Sequence, residues 1–171
     1  MSDTPPVRVL MVGLMGAGKS RVGSTLAAEL DVDYLDNDVL LREQEGLGPV
    51  ELSQLGRDVL HAAEERQLHA LCDRDGAFVA GVAGSVADRP ADCALMRISG
   101  TVVYLRAAPE VLAARVAADP ARPFIGDDPL PFITGTYEQR DPVFRAAAHL
   151  TVECDRPVED VVRAIRDHLR R

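Results

Sequence analysis

Gly13-Leu14-Met15-Gly16-Ala17-Gly18-Lys19-Ser20 is the stretch that decides the fold. It meets the pattern G-x-x-x-x-G-K-[ST] at every fixed position. Glycines there let backbone N–H groups turn inward around phosphates, and a following helix adds partial positive charge at its N-terminus. Lys19 is the only lysine among the 19 lysines and arginines of the chain. A compact ammonium on a flexible stem follows β- and γ-phosphates as a point charge, which a planar guanidinium does not do in the same way. The flanks agree with the motif. Val7 to Val12 is a short apolar run, long enough for a buried strand, and Ser20 to Leu30 carries Val22, Leu26, Ala27 and Leu30 on one stripe, as in a helix. Strand, glycine loop and helix is the order that a nucleotide triphosphate site requires.

Outward from the loop the alternation continues. Asp33–Asp36, Ala77–Ala80, Thr101–Leu105 and Leu150–Glu153 read as further strands. Helices are expected over 39–45, 50–55, 58–72, 109–118, 132–145 (weakened near Pro142) and 158–169. Residues 119–131, rich in proline, glycine and aspartate, read as a loop. Five strands alternating with helices predict an α/β fold. It is a three-layer α/β/α sandwich with a central five-stranded parallel sheet, helices on both faces and a lid, formed by residues 1–171 as one domain.

Composition excludes several classes. A net charge of -8 and 47% hydrophobic residues describe a globular protein without the basic face that nucleic acid needs. No apolar run approaches 18 residues, and the first residues lack a basic segment followed by an apolar one. A cytoplasmic chain without membrane contact is expected. Cys72, Cys93 and Cys154 have no metal-ligand spacing and read as three reduced thiols.

Asp36 and Asp38 follow Lys19 by 17 and 19 residues, at the end of the second strand. Ligands of open α/β sheets sit off the carboxyl ends of strands. One acid for Mg²⁺ and one for an acceptor hydroxyl is the functional reading. An acidic cap on the next helix is the plain one.

The chain resembles the shikimate kinase family over nearly its whole length. The likeness rests on the phosphate loop, the Asp36-x-Asp38 pair, and Gly56 with Glu64 from the pattern G-E-x-x-F-R-x-x-E. It extends to Gly84-Ser85-Val86 from a G-G-G-S-V turn, the stretch Asp119-Pro120-Ala121-Arg122-Pro123-Phe124-Ile125, and Tyr137 to Phe144, like an R-x-P-x-Y segment. The resemblance implies ATP and Mg²⁺. Gly13, Met15, Gly16, Ala17, Gly18, Lys19, Ser20 and Arg21 would cradle the nucleotide, and Ser20 with Asp36 would serve the metal. Asp38 would hold the acceptor hydroxyl and take its proton, and Arg122 would reach the transferring phosphoryl group from the lid. Arg115, with Arg156 and Pro157 opposite, would enclose adenine, and Arg140 would grip the acceptor carboxylate. Arg115 and Arg122 equally read as solvated surface charge. The implied partner is a small hydroxylated metabolite, and the expected state is a monomer or weak homodimer.

Two departures fall in the acceptor pocket. The pattern's substrate-binding arginine is replaced by His61 when counted from Gly56 and Glu64, or by Ala62 when counted from Asp38. Neither makes two parallel N–H bonds to a carboxylate, a loss on the order of 1.5–3 kcal/mol. The glycine triplet reads Val82-Ala83-Gly84, adding side chains where glycine allows close approach or positive φ. Donor positions are kept while acceptor positions change, so the acceptor is read as shikimate or as a related metabolite. A non-catalytic nucleotide-binding relative is the remaining alternative.

Overall fold

The structure is a computed structural model, described here for residues 6–119 and 128–171. Five strands form one parallel sheet in the order β2-β3-β1-β4-β5. In chain order these are β1 (Arg8–Val12), β2 (Asp33–Leu35), β3 (Phe78–Gly81), β4 (Thr101–Arg106) and β5 (Leu150–Glu153). The central strands β1, β3 and β4 are almost wholly apolar and buried, as strands covered on both faces must be.

The helices among the described residues are α1 (Lys19–Leu30), α2 (Asn37–Glu45), α3 (Pro49–Leu55), α4 (Arg57–Cys72), α5 (Pro90–Ser99), α6 (Pro109–Ala117), α7 (Leu130–Ala147) and α8 (Val158–Leu169). The crossover from β1 to β2 runs toward one edge of the sheet, and those from β2 to β3 and from β3 to β4 run the other way. Right-handed crossovers in opposite directions put their helices on opposite faces. Contacts follow that rule: α1 packs with α8, while α4, α5 and α7 pack together. A single core holds the sheet, with Tyr104 and Phe144 rings 5.2 Å apart inside it. A satellite cluster of Leu41, Leu52 and Ala63 ties α2, α3 and α4.

Three expectations need correction. The loop placed at 119–131 ends earlier, because Leu130 and Pro131 are already the first turn of α7; its residues 120–127 lie outside the described residues. That helix runs through Pro142, as expected, and continues two residues further to Ala147. An interior proline costs about 3 kcal/mol. Here the turn is anchored by Asp141, which is buried and accepts hydrogen bonds from Tyr104 Oη at 2.9 Å and Arg106 Nε at 2.8 Å. Helix α5 was not foreseen, although Pro90 opens it and Cys93 and Met96 bury one face. Ten residues with two buried apolar positions make a weak periodic signal.

Candidate active site

The phosphate loop, Asp36 with Asp38, Val82 to Gly84 and Arg156 follow the carboxyl ends of β1, β2, β3 and β5, the edge where a parallel sheet binds ligands. The phosphate loop leaves β1 and enters α1. Gly16 and Gly18 have φ of 83° and 88°, and a Cβ on Gly16 would meet the Leu112 carbonyl oxygen at 2.8 Å, so only glycine fits there. Met15 and Ala17 pack inward, and Arg21 is exposed on the first turn of α1. Lys19 Nζ donates to Gly13 O at 2.7 Å, so the ammonium is tethered over its own loop.

Asp36 is the N-cap of α2 and also reaches the phosphate loop. Its Oδ1 accepts from the Asp38 backbone N–H at 3.0 Å, capping α2. Its Oδ2 accepts from Ser20 Oγ at 2.7 Å and from Tyr34 Oη at 3.3 Å. Hydroxyl and carboxylate oxygens this close are the hard donors that a Mg²⁺ ion requires, and both face the loop. Tyr34 was missed by the sequence reading. Its ring is wedged against Gly23 of α1, and its hydroxyl sits close to Gly81 of β3. Burial pushes its phenol far above the ordinary range, so it stays a neutral donor to Asp36. Asp38 follows on the first turn of α2, exposed, with Asn37 Nδ2 donating to its Oδ1 at 3.1 Å.

Arg115 on α6 reaches across the nucleotide side. Its Nη2 donates to Cys154 O at 2.7 Å and its Nη1 to Gly16 O at 3.3 Å, linking the phosphate loop to the end of β5. Arg156 donates to Glu153 O, and Pro157 is the N-cap of α8. Arg115, Arg156 and Pro157 therefore border the same end of the site. Arg122 lies outside the described residues.

The opposite end is built by α4, α7 and the 3₁₀ turn Gly84–Asp88. Arg140 is largely buried and donates to Asp88 Oδ2 at 2.9 Å. A Cβ on Gly84 would lie 3.1 Å from Arg140 Nη1, so the retained glycine leaves room for the guanidinium. His61 is half-buried beside it while Ala62 points to solvent, which makes His61 the residue facing this end. Burial first, then the neighbouring Arg57, pulls the His61 pKa below its usual value; Asp88 opposes and Arg140 and Arg89 reinforce the shift. Glu64 accepts from Ser85 Oγ at 2.5 Å, and burial raises its pKa. Val82 and Ala83 line a crevice with Asn37, Glu64 and Gln67. Ala83 has φ of −60°, and Asp31 is the only non-glycine residue with positive φ among the described residues. The backbone here does not need glycine, and the change acts through side-chain bulk alone.

A family model described as shikimate kinase matches residues 15–170. The chain belongs to the shikimate kinase family. It is 37% identical over 155 residues to the shikimate kinase of Burkholderia thailandensis, spanning 90% of this chain and 84% of that one. It is 32% identical over 164 residues to that of Dehalococcoides mccartyi, spanning 95% and 93%. The solved shikimate kinase from Acinetobacter baumannii in complex with shikimate superposes with a TM-score of 0.87 at 28% identity, covering 98% of this chain and 94% of that one.

As a shikimate kinase family member, the chain is an ATP- and Mg²⁺-dependent kinase that phosphorylates a hydroxyl of a small polar metabolite. Nothing among these relatives supports a non-catalytic role. No helix among the described residues is long and apolar enough to cross a membrane. The residues that sequence reading overlooked, Tyr34, Asp88, Arg89 and Arg57, lack a local signature. Tyr34 had one faint signal in the glycines at 23 and 81, which make sense only once a ring is seen against them.

Proposed function

We propose that this chain transfers the γ-phosphoryl group of ATP to a ring hydroxyl of shikimate. The observation that carries the acceptor assignment is the cationic end of the site. Arg140 is held by Asp88, His61 is half-buried beside it, and Arg57 and Arg89 lie near. That end fits a carboxylate, and Glu64 feels the charges of both Arg140 and Asp38. A hydroxylated carboxylic acid bridging the two would present a hydroxyl to Asp38.

Lys19 and the loop N–H groups would hold the β- and γ-phosphates. Ser20 and Asp36 would hold Mg²⁺, which neutralises phosphate charge when bound. Asp38 accepts the hydroxyl proton as the acceptor oxygen bonds to the γ-phosphorus, and the bond from that phosphorus to the β–γ bridging oxygen breaks to release ADP. Arg122 would meet the transferring group, and Arg115, Arg156 and Pro157 would border adenine. The segment between α6 and α7, expected at 119–131 and ending before Leu130, would act as the lid that excludes water. The whole chain would work as one cytoplasmic kinase domain, as a monomer or weak dimer.

Val82 and Ala83 favour a second reading. Their side chains take space in the crevice beside Glu64, which fits a slimmer relative of shikimate. ADP release from Mg-ATP across shikimate, aminoshikimates, cyclitols and sugar acids separates the two. Shikimate is expected to give the highest kcat/KM; turnover of another acceptor with none of shikimate would refute the assignment.

A further inference from the structure

The family pattern carries an acid immediately after the glycine at 56 and an arginine at the position of His61. This chain carries Arg57 and no arginine at 61. Positive charge has thus moved one helical turn toward the N-terminus of α4, on the same helix face. About one 5.4 Å turn separates the two positions, a distance that an arginine stem spans. Helical side chains lean toward the N-terminus, so the His61 imidazole lies over the turn that Arg57 begins. Of the charged groups around His61, Arg57 acts most strongly, ahead of Asp88, Arg140 and Arg89.

The other guanidiniums near the site are committed. Arg89 binds Asp92, Arg115 binds the Cys154 carbonyl, and Arg140 gives its Nη2 to Asp88, leaving only part of its fork for a ligand. Arg57 is exposed, and among the described residues no hydrogen bond or ion pair holds it. A guanidinium is planar and forks a carboxylate with two parallel N–H bonds, which the His61 imidazole does not.

Resting on the reading of the acceptor as shikimate, we propose that Arg57 is the specificity residue of this enzyme, taking the acceptor carboxylate from one turn upstream of the family's arginine position. His61 supplies a neutral N–H beside it, and Arg140 completes the grip.

Steady-state kinetics with shikimate and with its uncharged methyl ester test this on wild type, R57A, H61R and R57A/H61R. R57A is expected to raise KM for shikimate about 10-fold, the scale of one charge-assisted pair, while kcat and KM for ATP stay within about 2-fold. KM for the ester is expected to be the same in wild type and R57A. Adding H61R to R57A is expected to restore KM for shikimate, because the fork returns to its family position. A KM for shikimate unchanged by R57A, or raised equally for the ester, overturns the role of Arg57 and leaves the acceptor assignment standing. A wild-type chain that ignores shikimate and turns over another acceptor overturns both.

Discussion

Gly23 is a glycine in the middle of α1, where replacement by alanine ordinarily stabilises a helix by about 1 kcal/mol. The structure reverses the sign. A Cβ on Gly23 would lie 2.2 Å from Tyr34 Cε2, 2.8 Å from Cδ2 and 3.0 Å from Cζ. Ordinary contact begins near 3.4 Å, so the ring has to retreat by roughly 1 Å. Retreat toward β3 is limited, since the Tyr34 hydroxyl already sits so close to Gly81 that a Cβ there would lie 2.8 Å from it. Overpacking of this kind costs about 1–3 kcal/mol, and losing the Tyr34 bond to the Asp36 carboxylate adds about 1 kcal/mol. Set against the helix gain, Gly23→Ala is expected to destabilise by about 1–3 kcal/mol, or to lower Tm by about 3–10 °C for a chain of this size. Thermal unfolding by circular dichroism measures it. Gly23→Ala combined with Tyr34→Ser removes the ring that the methyl strikes, so the double variant is expected to lose at least 1 kcal/mol less than the sum of the singles. A Gly23→Ala protein as stable as wild type or more so, with additive behaviour in the double variant, would refute the wedge.

Asp38→Asn keeps the shape of the first turn of α2 but removes the carboxylate proposed as the proton acceptor. It is expected to lower kcat by about 10²–10⁴-fold while ATP affinity stays near wild type, measured by coupled assay and nucleotide titration. Lys19→Ala is expected to lose both ATP affinity and turnover if the ammonium tethered to Gly13 O is the phosphate ligand proposed above. Asp141→Ala strands the buried Tyr104 hydroxyl and the Arg106 guanidinium under Pro142, and is expected to cost about 2–3 kcal/mol in urea unfolding. His149 Nδ1 accepts the Val102 backbone N–H at 3.0 Å and must be unprotonated to do so. Burial, then Arg97 and His168, holds its folded pKa below the ordinary 6.5. Its contribution to stability is therefore complete above pH 6.5 and is lost as pH falls from there toward the folded pKa. His149→Asn is expected to flatten the slope of Tm against pH between 5 and 7.

Much of the donor half of this enzyme was legible in the chain. The phosphate loop is eight contiguous residues, and its function lies in backbone conformations that glycine, lysine and serine specify locally. The helix cap at 36 was legible too; one Asp36 oxygen caps α2 while the other meets Ser20. Helix α5 was hidden because too few of its residues bury, and what braces α7 at Pro142 was hidden because Tyr104, which holds Asp141, lies 37 positions back on β4.

The sequence by itself determined an ATP site at the end of the first strand of a parallel α/β sheet, because hydrophobic period and loop chemistry are properties of neighbouring residues. Only the tertiary structure brings together the residues proposed for the acceptor end. Arg140 meets Asp88 across 52 positions, His61 rather than Ala62 turns inward, and Tyr34 fills the gap left by Gly23. These pairings depend on which elements the crossovers bring together at one edge of the sheet, and no local pattern of residues encodes that.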